Sequence, residues 1–478
     1  GYKVLGTGLV AVEALLQLQQ SSRIILAHDH EHYLLGLVAS SKYPYSALIS
    51  PDGAHYAVLA DPRLPDPLAE VHTVIEAEPT GLYVIGADGS GGAWWCPTLR
   101  DINEVAWSSD GASLAVLSLT PKIGFHYVRS FLDVCSAGGL RHVATIDNAV
   151  SGIGWINGGK DLVFLSTTSP VLTADHVWTV AASGGTPMDR TPSFEGSALQ
   201  LSVDANGNAW VIVARGVQSE VDAFQNGSLT PAFKWTAGTI DNGPISPRIA
   251  PAPEVQAFTV ADPQHTSNVA IAHGQTLQRI TQEGDDQLAK VVLGEVRAVH
   301  WSSKEGIALE GILTFPAAYQ AGRRYPFMVM PHGGPEANDT LQFSSFVRMF
   351  AGMGHVVLQP EYRGSTGYGT DFMSAIYQHF GDRAYRDVDS ATDYAVAQGW
   401  ADPNRLTMFG WSAGGFMTSW TVTQTHRYKA AIEGAGNYRL AQLRCGPATC
   451  SRRTTTLAGP IRTPMRFWCS PRSCIRRA

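Results

Sequence analysis

Between about residue 44 and residue 300, the chain repeats one pattern of apolar and polar positions. Each copy has an apolar run, a turn rich in Asp, Asn or Gly, and a second apolar run, which together predict a β-hairpin. Five copies are visible, and they contain residues 50–53, 105–111, 153–158, 201–207 and 245–248. Their turns recur at roughly the period of four-stranded propeller blades. The regular period favours a β-propeller over the alternative, a large β-sandwich with similar turns.

After about residue 300 the hairpins give way to alternating strands and helices. Residues 299–306 resemble a sixth copy, but the apolar run that follows continues to residue 316. The pattern predicts strands at 327–330, 355–358, 406–409 and 428–433, and helices at 344–353, 371–380, 388–398 and 416–425. This alternation is typical of a parallel-rich sheet with helices on both faces. We therefore expect a propeller domain over residues 1–295 and a second domain over 296–436.

Length and composition are consistent with a globular protein of two domains. The chain has 478 residues, of which 44% are hydrophobic and 16% charged, and this excludes a disordered or fibrous class. Apolar runs stay shorter than the 18 or so residues that a membrane span needs, and the first residues show no signal peptide. With a formal charge of −6, the sequence predicts no nucleic-acid partner and no membrane. Association into homo-oligomers is left open.

The charge changes sign near residue 436. Residues 437–478 contain nine Arg but no Lys, Asp or Glu, so the remaining 35 − 9 = 26 basic and 41 acidic residues give the body −15 and the tail +9. We interpret this tail as the product of a shifted reading frame or a retained intron, which has replaced the last third of the second domain. A basic interaction tail and a metal-binding knuckle are the alternatives.

Cysteines follow the same division. Four of the six lie in the tail, and the body has only Cys96 and Cys135. Two cysteines in so long a body do not form a disulfide framework. They favour a reducing, cytoplasmic compartment over secretion.

The sequence Gly-Trp-Ser-Ala-Gly at residues 410–414 lies between a predicted strand and a predicted helix. In that context G-x-S-x-G predicts a nucleophile elbow, in which Ser412 occupies the apex of a strained turn. The N–H of Ala413 would then point towards an oxyanion at the start of the helix. The alternative is a glycine-rich turn with an ordinary serine.

A second glycine pair follows the predicted strand at residues 327–330. Gly333 and Gly334 allow the backbone to approach a ligand closely, and N–H groups at this place form the other half of the oxyanion hole in α/β-hydrolases. An ordinary strand-end turn is the alternative. Residues 361–369 end the next strand at the same edge of the sheet, and we interpret them as a loop that shapes the pocket.

With these motifs together, residues 296–436 resemble the catalytic domain of the prolyl oligopeptidase family of serine peptidases. The similarity is closest to the acylaminoacyl-peptidase and dipeptidyl-peptidase V branch. The motifs that carry it lie at residues 332–335, 359–369, 402–405, 410–418 and 428–435. The resemblance implies a β-propeller followed by an α/β-hydrolase domain, with short peptides as substrates and no cofactor or metal. It further implies Ser412 as the nucleophile, with the N–H groups of Ala413 and Gly334 in the oxyanion hole.

The sequence departs from this family where the rest of the catalytic triad is expected. In α/β-hydrolases the Asp and His follow the nucleophile, yet no Asp follows Ser412. The one later histidine is His426, which the helix after the elbow would carry to the surface. His332 and His355 precede the serine, and neither fits the family's base. No triad Asp or His is identifiable, so we expect little or no turnover from the chain as written. A non-catalytic propeller that binds peptides or proteins and an esterase are the alternatives.

Overall fold

The computed structural model describes most of the body of the chain. It covers residues 24–28, 31–35, 47–60, 81–120, 129–169, 172–204, 206–240, 257–273, 276–436, 468–470 and 473–475. Near the ends of the chain, strand β1 (Ile24–His28) pairs with β2 (Glu31–Leu35), and β29 (Trp468–Ser470) pairs with β30 (Ser473–Ile475). The rest of the predicted tail lies outside the described residues.

The first part of the fold consists of five four-stranded antiparallel sheets, each formed by strands that are consecutive in the chain. The first sheet contains β3 (Ala47–Ile49), β4 (His55–Ala60), β5 (Gly81–Gly86) and β6 (Ala93–Trp95), and the second β7 (Ile102–Trp107), β8 (Ser113–Leu119), β9 (Ser130–Ser136) and β10 (Gly139–Ile146). The third contains β11 (Val150–Ile156), β12 (Asp161–Thr167), β13 (Asp175–Ala181) and β14 (Met188–Asp189). The fourth contains β15 (Ser197–Val203), β16 (Ala209–Arg215), β17 (Gln218–Gln225) and β18 (Ser228–Phe233), and the fifth β19 (Thr239–Ile240), β20 (Ala257–Asp262), β21 (His265–His273) and β22 (Thr276–Arg279). This confirms the predicted propeller architecture, although the fifth predicted turn, at 245–248, lies outside the described residues.

The inner strands are apolar on both faces because each sheet packs between its neighbours. In β8, Leu114 and Val116 are buried against the first sheet, whereas Ala115 and Leu117 are buried against the third. Successive side chains of a strand point to opposite faces. A continuous apolar run is therefore the expected sequence of a strand inside a stack of blades.

Tryptophans of the repeated pattern connect one sheet to the next. The indole N–H of Trp107 in the second sheet donates to the carbonyl of Leu48 in the first, at 3.0 Å. Trp155 in the third sheet donates in the same way to Ala106 in the second, at 2.9 Å. Buried indole N–H groups need such partners, and here the partner is the backbone of the preceding blade.

The second part of the fold is a six-stranded mixed sheet in the order β23-β24-β26-β25-β27-β28. Its strands are β23 (Val296–Ser302), β24 (Ala308–Thr314), β25 (Tyr325–Val329), β26 (Val356–Glu361), β27 (Ala401–Trp411) and β28 (Ala430–Gly434). Strand β24 runs antiparallel to both of its neighbours, β23 and β26, and the remaining adjacent pairs are parallel. The segment that resembled a sixth repeat overlaps β23 and thus belongs to this sheet.

Helices cover both faces of this sheet, as the alternating pattern predicts. The described residues form α1 (Asp285–Leu288), α2 (Ser345–Gly352), α3 (Gly369–Ser374), α4 (Arg383–Ala397) and α5 (Ala413–Gln424). Phe327 and Val329 of β25 pack in the larger core with Val388 of α4, whereas Met328 packs on the opposite face with Val347 of α2. None of the helices in the described part is long and apolar enough to cross a bilayer.

One predicted helix is much shorter than expected. The pattern predicted a helix over 371–380, but α3 ends at Ser374 and turns follow. Gln378 adopts a φ of 61°, which is outside the right-handed helical region. The guanidinium of Arg383 also donates to the carbonyl of Ala375 at 2.6 Å and so satisfies the end of the helix. The side chain of Arg383, which lies beyond the end of α3, thus provides a partner for the last turn of the helix.

The two body cysteines form a disulfide, which the cysteine count did not predict. Cys96, just after β6 in the first sheet, is bonded to Cys135 in β9 of the second, 39 residues further on. Two cysteines so far apart have no recognisable spacing, and only the packing of neighbouring sheets brings them together. The bond gives no support to the expected reducing compartment.

Candidate active site

Ser412 lies at the junction between β27 and α5, at the exposed end of the strand. Its backbone has φ 56° and ψ −118°, a conformation that is costly for any residue with a Cβ. The turn is held by a hydrogen bond from the Ser412 N–H to the carbonyl of Gly434 in β28, at 2.8 Å. Ala413 is the first residue of the helix, where backbone N–H groups have no partner within the helix. The helix begins three residues earlier than the pattern predicted.

The glycines around Ser412 are required by close backbone contacts. A Cβ at Gly410 would lie 2.1 Å from the carbonyl oxygen of Gly414. A Cβ at Gly414 would lie 2.2 Å from the carbonyl oxygen of Pro331, and one at Gly415 would lie 2.4 Å from that of Gly434. Distances below 3 Å are not tolerated between such atoms, so the turn can be this tight only with glycine at all three positions.

The loop after β25 packs directly against this turn. A Cβ at Gly333 would lie 3.4 Å from the Cβ of Ser412, so the Gly333 backbone is adjacent to the serine. Gly334 has a φ of 116° and precedes a cis peptide bond to Pro335. Among the described residues, the N–H of Gly334 has no hydrogen-bond acceptor. A free donor beside a strained serine is the arrangement that oxyanion stabilisation needs.

Beneath this loop, His332 is buried in a network of polar groups. Its Nδ1 lies 2.6 Å from the carbonyl oxygen of Gly333, and its Nε2 lies 2.8 Å from the Oγ of Ser365. The Nε2 also lies 3.4 Å from a carboxylate oxygen of Glu361, which is fully buried. The ring stacks on Tyr362 with the centroids 4.5 Å apart.

The charged groups of this network shift one another's pKa values. Burial alone would lower the pKa of His332, but the carboxylate of Glu361, with a smaller contribution from Asp339, raises it to about 9. Burial raises the pKa of Glu361, and the His332 charge opposes that shift. We take the pair as ionised at neutral pH, because the carboxylate of Glu361 and the imidazolium of His332 stabilise each other's charge.

Among the described residues, His426 and His355 make no hydrogen bond to Ser412. His426 is exposed just beyond the end of α5. His355 is partly buried, which lowers its pKa, and it contacts Phe350. The Oγ of Ser412 has no hydrogen-bond partner among the described residues. Nor do the described residues contain a group of three or more side chains able to hold a metal ion.

The propeller contacts the two loops that flank the site. The turn at Gly216 in the fourth sheet donates to the carbonyl of Gly367 at 3.0 Å and accepts from Asn338 at 2.9 Å. Glu310 of β24 accepts from the Val217 N–H at 3.2 Å and from the Tyr368 hydroxyl at 2.7 Å. The 361–369 loop therefore joins the two domains as well as shaping the site.

Sequence reasoning singled out Ser412 and the glycine loops but not the polar groups packed beside them. The sequence pattern places Glu361, Tyr362 and Ser365 only in a pocket-shaping loop, and it gives no sign of a role for Asp339. Their partner His332 is separated from them in the chain, so no local spacing reveals the network. An acidic residue at the buried end of a strand was the one available signal.

A protein-family model and several known proteins match parts of this chain. The model of the prolyl oligopeptidase family matches residues 341–452 and thus runs past Gly436 into the predicted tail. An uncharacterised peptidase of Bacillus subtilis is 32% identical over 185 residues, which are 38% of this chain and 28% of that protein. The human acylamino-acid-releasing enzyme is 31% identical over 128 residues, which are 27% of this chain and 18% of the enzyme.

Solved structures share the fold over more of the chain. An acylaminoacyl peptidase of Pyrococcus horikoshii superimposes with a TM-score of 0.67 at 16% identity, over 87% of this chain and 66% of that one. The chain thus spans less than a third of the curated relatives it matches and about two thirds of this structure.

The described architecture is that of a β-propeller followed by an α/β-hydrolase domain, with a serine at the strand-to-helix turn of the hydrolase sheet. Within that class, residues 341–452 match the prolyl oligopeptidase family of serine peptidases. The chain is similar in sequence to acylamino-acid-releasing enzymes and to dipeptidyl peptidases.

Proposed function

We propose that the chain derives from a peptidase that hydrolyses short peptides through Ser412. The Ser412 oxygen would attack the carbonyl carbon, a base would take its proton, and the amine would leave with a proton to give an acyl-enzyme that water hydrolyses. The N–H groups of Ala413 and Gly334 would hold the oxyanion. The strained backbone of Ser412, beside the unpartnered N–H of Gly334, is the observation that carries this proposal.

The names of the relatives and the position of the propeller support short peptides as the substrate class. The relatives are named for releasing acylated amino acids or dipeptides. The Gly216 turn of the propeller is bonded to the loops beside the site, so a long or folded chain would have little room to enter. We propose short peptides as substrates, with residues 1–295 as the propeller, 296–436 as the hydrolase domain and 437–478 as an aberrant tail.

For the chain as printed we propose very low turnover. A serine hydroxyl at its ordinary pKa is a weak nucleophile and needs an adjacent base. The sequence after Ser412 contains no Asp and a single His, His426, which is exposed beyond α5. The loss of a triad member removes most of the rate enhancement even when the oxyanion hole remains.

A fluorophosphonate probe, with the modified residue mapped by mass spectrometry, tests the nucleophile and the missing base separately. The printed chain is compared with its Ser412→Ala variant and with a chimera in which residues 437–478 are replaced by the matching part of the B. subtilis relative. We expect slow labelling of the printed chain, fast labelling of the chimera at Ser412, and none at that position in either Ser412→Ala form. Labelling of the folded chimera at another residue would refute the nucleophile assignment. Fast labelling of the printed chain would refute the low-turnover proposal.

A non-catalytic peptide-binding protein is the second candidate. It is favoured by one observation, the absence of a hydrogen-bond partner for the Ser412 hydroxyl among the described residues. If this candidate is correct, peptides should bind equally well to the printed chain and to Ser412→Ala, and the chimera should gain no activity.

A further inference from the structure

We infer that the chain associates with a second copy of itself through the outer edge of β28, in an antiparallel pairing centred on Ala431. Strand β28 is the last in the six-stranded sheet, and among the described residues no strand pairs with its outer edge. An unpaired edge offers a row of N–H and C=O groups to another strand. The inference is independent of the proposed function of Ser412.

Strand β28 is far more exposed than its neighbours in the sheet. Residues Ala430 to Glu433 are all exposed, whereas β25 is buried along nearly its whole length. The side chain of Ile432 is 50% exposed, and that of Trp411 in β27 is 61% exposed. Both lie on one face, since Ile432 pairs with Phe409 and Trp411 follows Phe409 by two positions. The described residues therefore leave an apolar strip uncovered at this edge.

The opposite edge of the sheet is built differently. The exposed positions of β23 are all polar, namely Arg297, His300 and Ser302. Polar and charged side chains of this kind protect a natural edge from pairing with another strand. Only the β28 edge is thus open to pairing, and two copies that meet there cover each other's edge. The expected product is a closed dimer with a twofold axis and not a fibre.

The backbone of β28 is oriented for such a pairing. The N–H of Lys429 donates to the carbonyl of Leu406 in β27, at 2.8 Å. Because the backbone groups of successive residues in a strand point to alternate sides, those of Ala430 and Ile432 point away from β27. In an antiparallel pair centred on Ala431, Ala430 of each copy lies opposite Ile432 of the other. These two residues then exchange both of their hydrogen bonds.

The charges at the two ends of β28 favour this partner and this register. Lys429 and Glu433 are both exposed, and their spacing of four residues places them on the same face of the strand. In the pairing centred on Ala431, Lys429 of each copy lies opposite Glu433 of the other. One strand sequence thus forms an ion pair at each end of the ladder. The edge is complementary to itself, which a twofold interface requires.

The tail of the same chain is the other candidate for this edge, since it follows Gly436 directly. Its described strands, β29 and β30, pair with each other and not with β28. Residues 437–478 contain nine Arg and no Asp or Glu, so they can offer a charged partner to Glu433 but none to Lys429. A second copy offers a partner to both.

An exchange of charges, followed by analytical ultracentrifugation of the full chain, tests the inference. In the dimer, Lys429→Glu places two glutamates opposite each other at each end of the ladder, and Glu433→Lys places two lysines there. We expect a reversible dimer for the wild type and a dissociation constant about 10- to 100-fold higher for each variant. An equimolar mixture of the two variants should dimerise like the wild type, because the heterodimer regains both pairs of opposite charge. Both positions are exposed, so folding should be unchanged.

The mixture is the decisive sample. A mixture that dimerises no better than either variant alone would overturn the inference, as would a wild type that stays monomeric at every concentration. Association that continues beyond a dimer would also overturn it, because it would show general adhesion of exposed apolar groups.

Hydrogen exchange of the Ala430 and Ile432 amides identifies what covers the edge. We expect their protection to rise with the fraction of dimer as the protein concentration increases. Protection that is the same in the monomer and in the dimer would show that the tail of the same chain covers the edge, and it would overturn the inference.

Discussion

Glycine residues at the strand-to-helix turn determine how closely its backbone approaches the backbone of the loop after β25. The helix start reaches the loop after β25 at Gly414, whose missing side chain leaves room for the Pro331 carbonyl. The same contact sets the distance between Ser412 and Gly333. Stability and the geometry of the site therefore depend on the same atoms.

Replacement of Gly414 by Ala should destabilise the protein and disturb the serine. Its Cβ would meet the Pro331 oxygen at 2.2 Å, and overpacking of this kind costs about 1–3 kcal/mol. Urea unfolding measures the change in the free energy of unfolding. The matched control is Gly352→Ala in α2, where a Cβ meets no atom within 4 Å and a gain of about 0.4–1 kcal/mol is expected. Equal effects of the two substitutions would contradict this account.

The His332–Glu361 pair should make stability depend on pH. The pKa of His332 is raised from its ordinary 6.5 to about 9 in the folded protein, so its stabilising contribution is complete below pH 6.5 and is lost as the pH rises through 9. We expect the free energy of unfolding of the wild type, relative to His332→Gln, to fall between pH 6.5 and 9, by an amount on the order of a few kcal/mol. Urea titrations across this range measure it. A constant difference between the two proteins would show that the ring is neutral.

At the scale of elements, one buried ion pair attaches the loop after β26 to α4. The guanidinium of Arg363 makes two contacts of 2.8 Å with the carboxylate of Asp387, which is fully buried. The same loop carries Ser365 and so holds the His332 network in place. The pair connects helix packing to the site.

Removal of the cation from this pair should be costly. Arg363→Ala leaves the Asp387 carboxylate buried without its partner, and such a loss costs about 3–5 kcal/mol. Arg386→Ala is the control. Arg386 forms an ion pair with Glu305 but is half exposed, so its loss should change the free energy of unfolding by at most about 1 kcal/mol. Chemical denaturation compares the two. Similar losses would mean that burial is not what makes the Arg363 pair important.

At the scale of the whole molecule, the propeller and the hydrolase domain meet at a few directed hydrogen bonds. Glu310 receives the N–H of Val217 from the propeller and the hydroxyl of Tyr368 from the 361–369 loop. It therefore connects the two domains at the place where they border the site.

Loss of the Glu310 carboxylate should uncouple the domains. Glu310→Ala removes the acceptor of the Val217 N–H and the Tyr368 hydroxyl, as well as the partner of His300. Each of the first two donors costs about 1–3 kcal/mol if left buried and unpaired. In differential scanning calorimetry we expect the unfolding of the two domains to separate into more distinct transitions. Glu295→Ala is the control, because Glu295 pairs with Arg297 at the surface only. A single unchanged transition for Glu310→Ala would show that other contacts couple the domains.

Local patterns in the sequence predicted the propeller, the parallel-rich sheet with helices on both faces and the strand-to-helix turn at Ser412. This was possible because strand alternation, turn chemistry and the glycines of a tight turn are properties of neighbouring residues. The end of α3 was predicted wrongly: the helix stops at Ser374, and the carbonyl of Ala375 accepts from the Arg383 side chain. The roles of Ala413 and Gly334 in an oxyanion hole stay predictions.

The sequence by itself therefore determined the two fold types, their order in the chain and the serine at the strand-to-helix turn. Only the tertiary structure decided which distant groups meet. The Cys96–Cys135 bond, the Arg363–Asp387 pair and the acceptors around His332 all join residues that no local period relates. The physical reason is that each of these contacts depends on burial, and burial is produced by the packing of elements that are far apart in the chain.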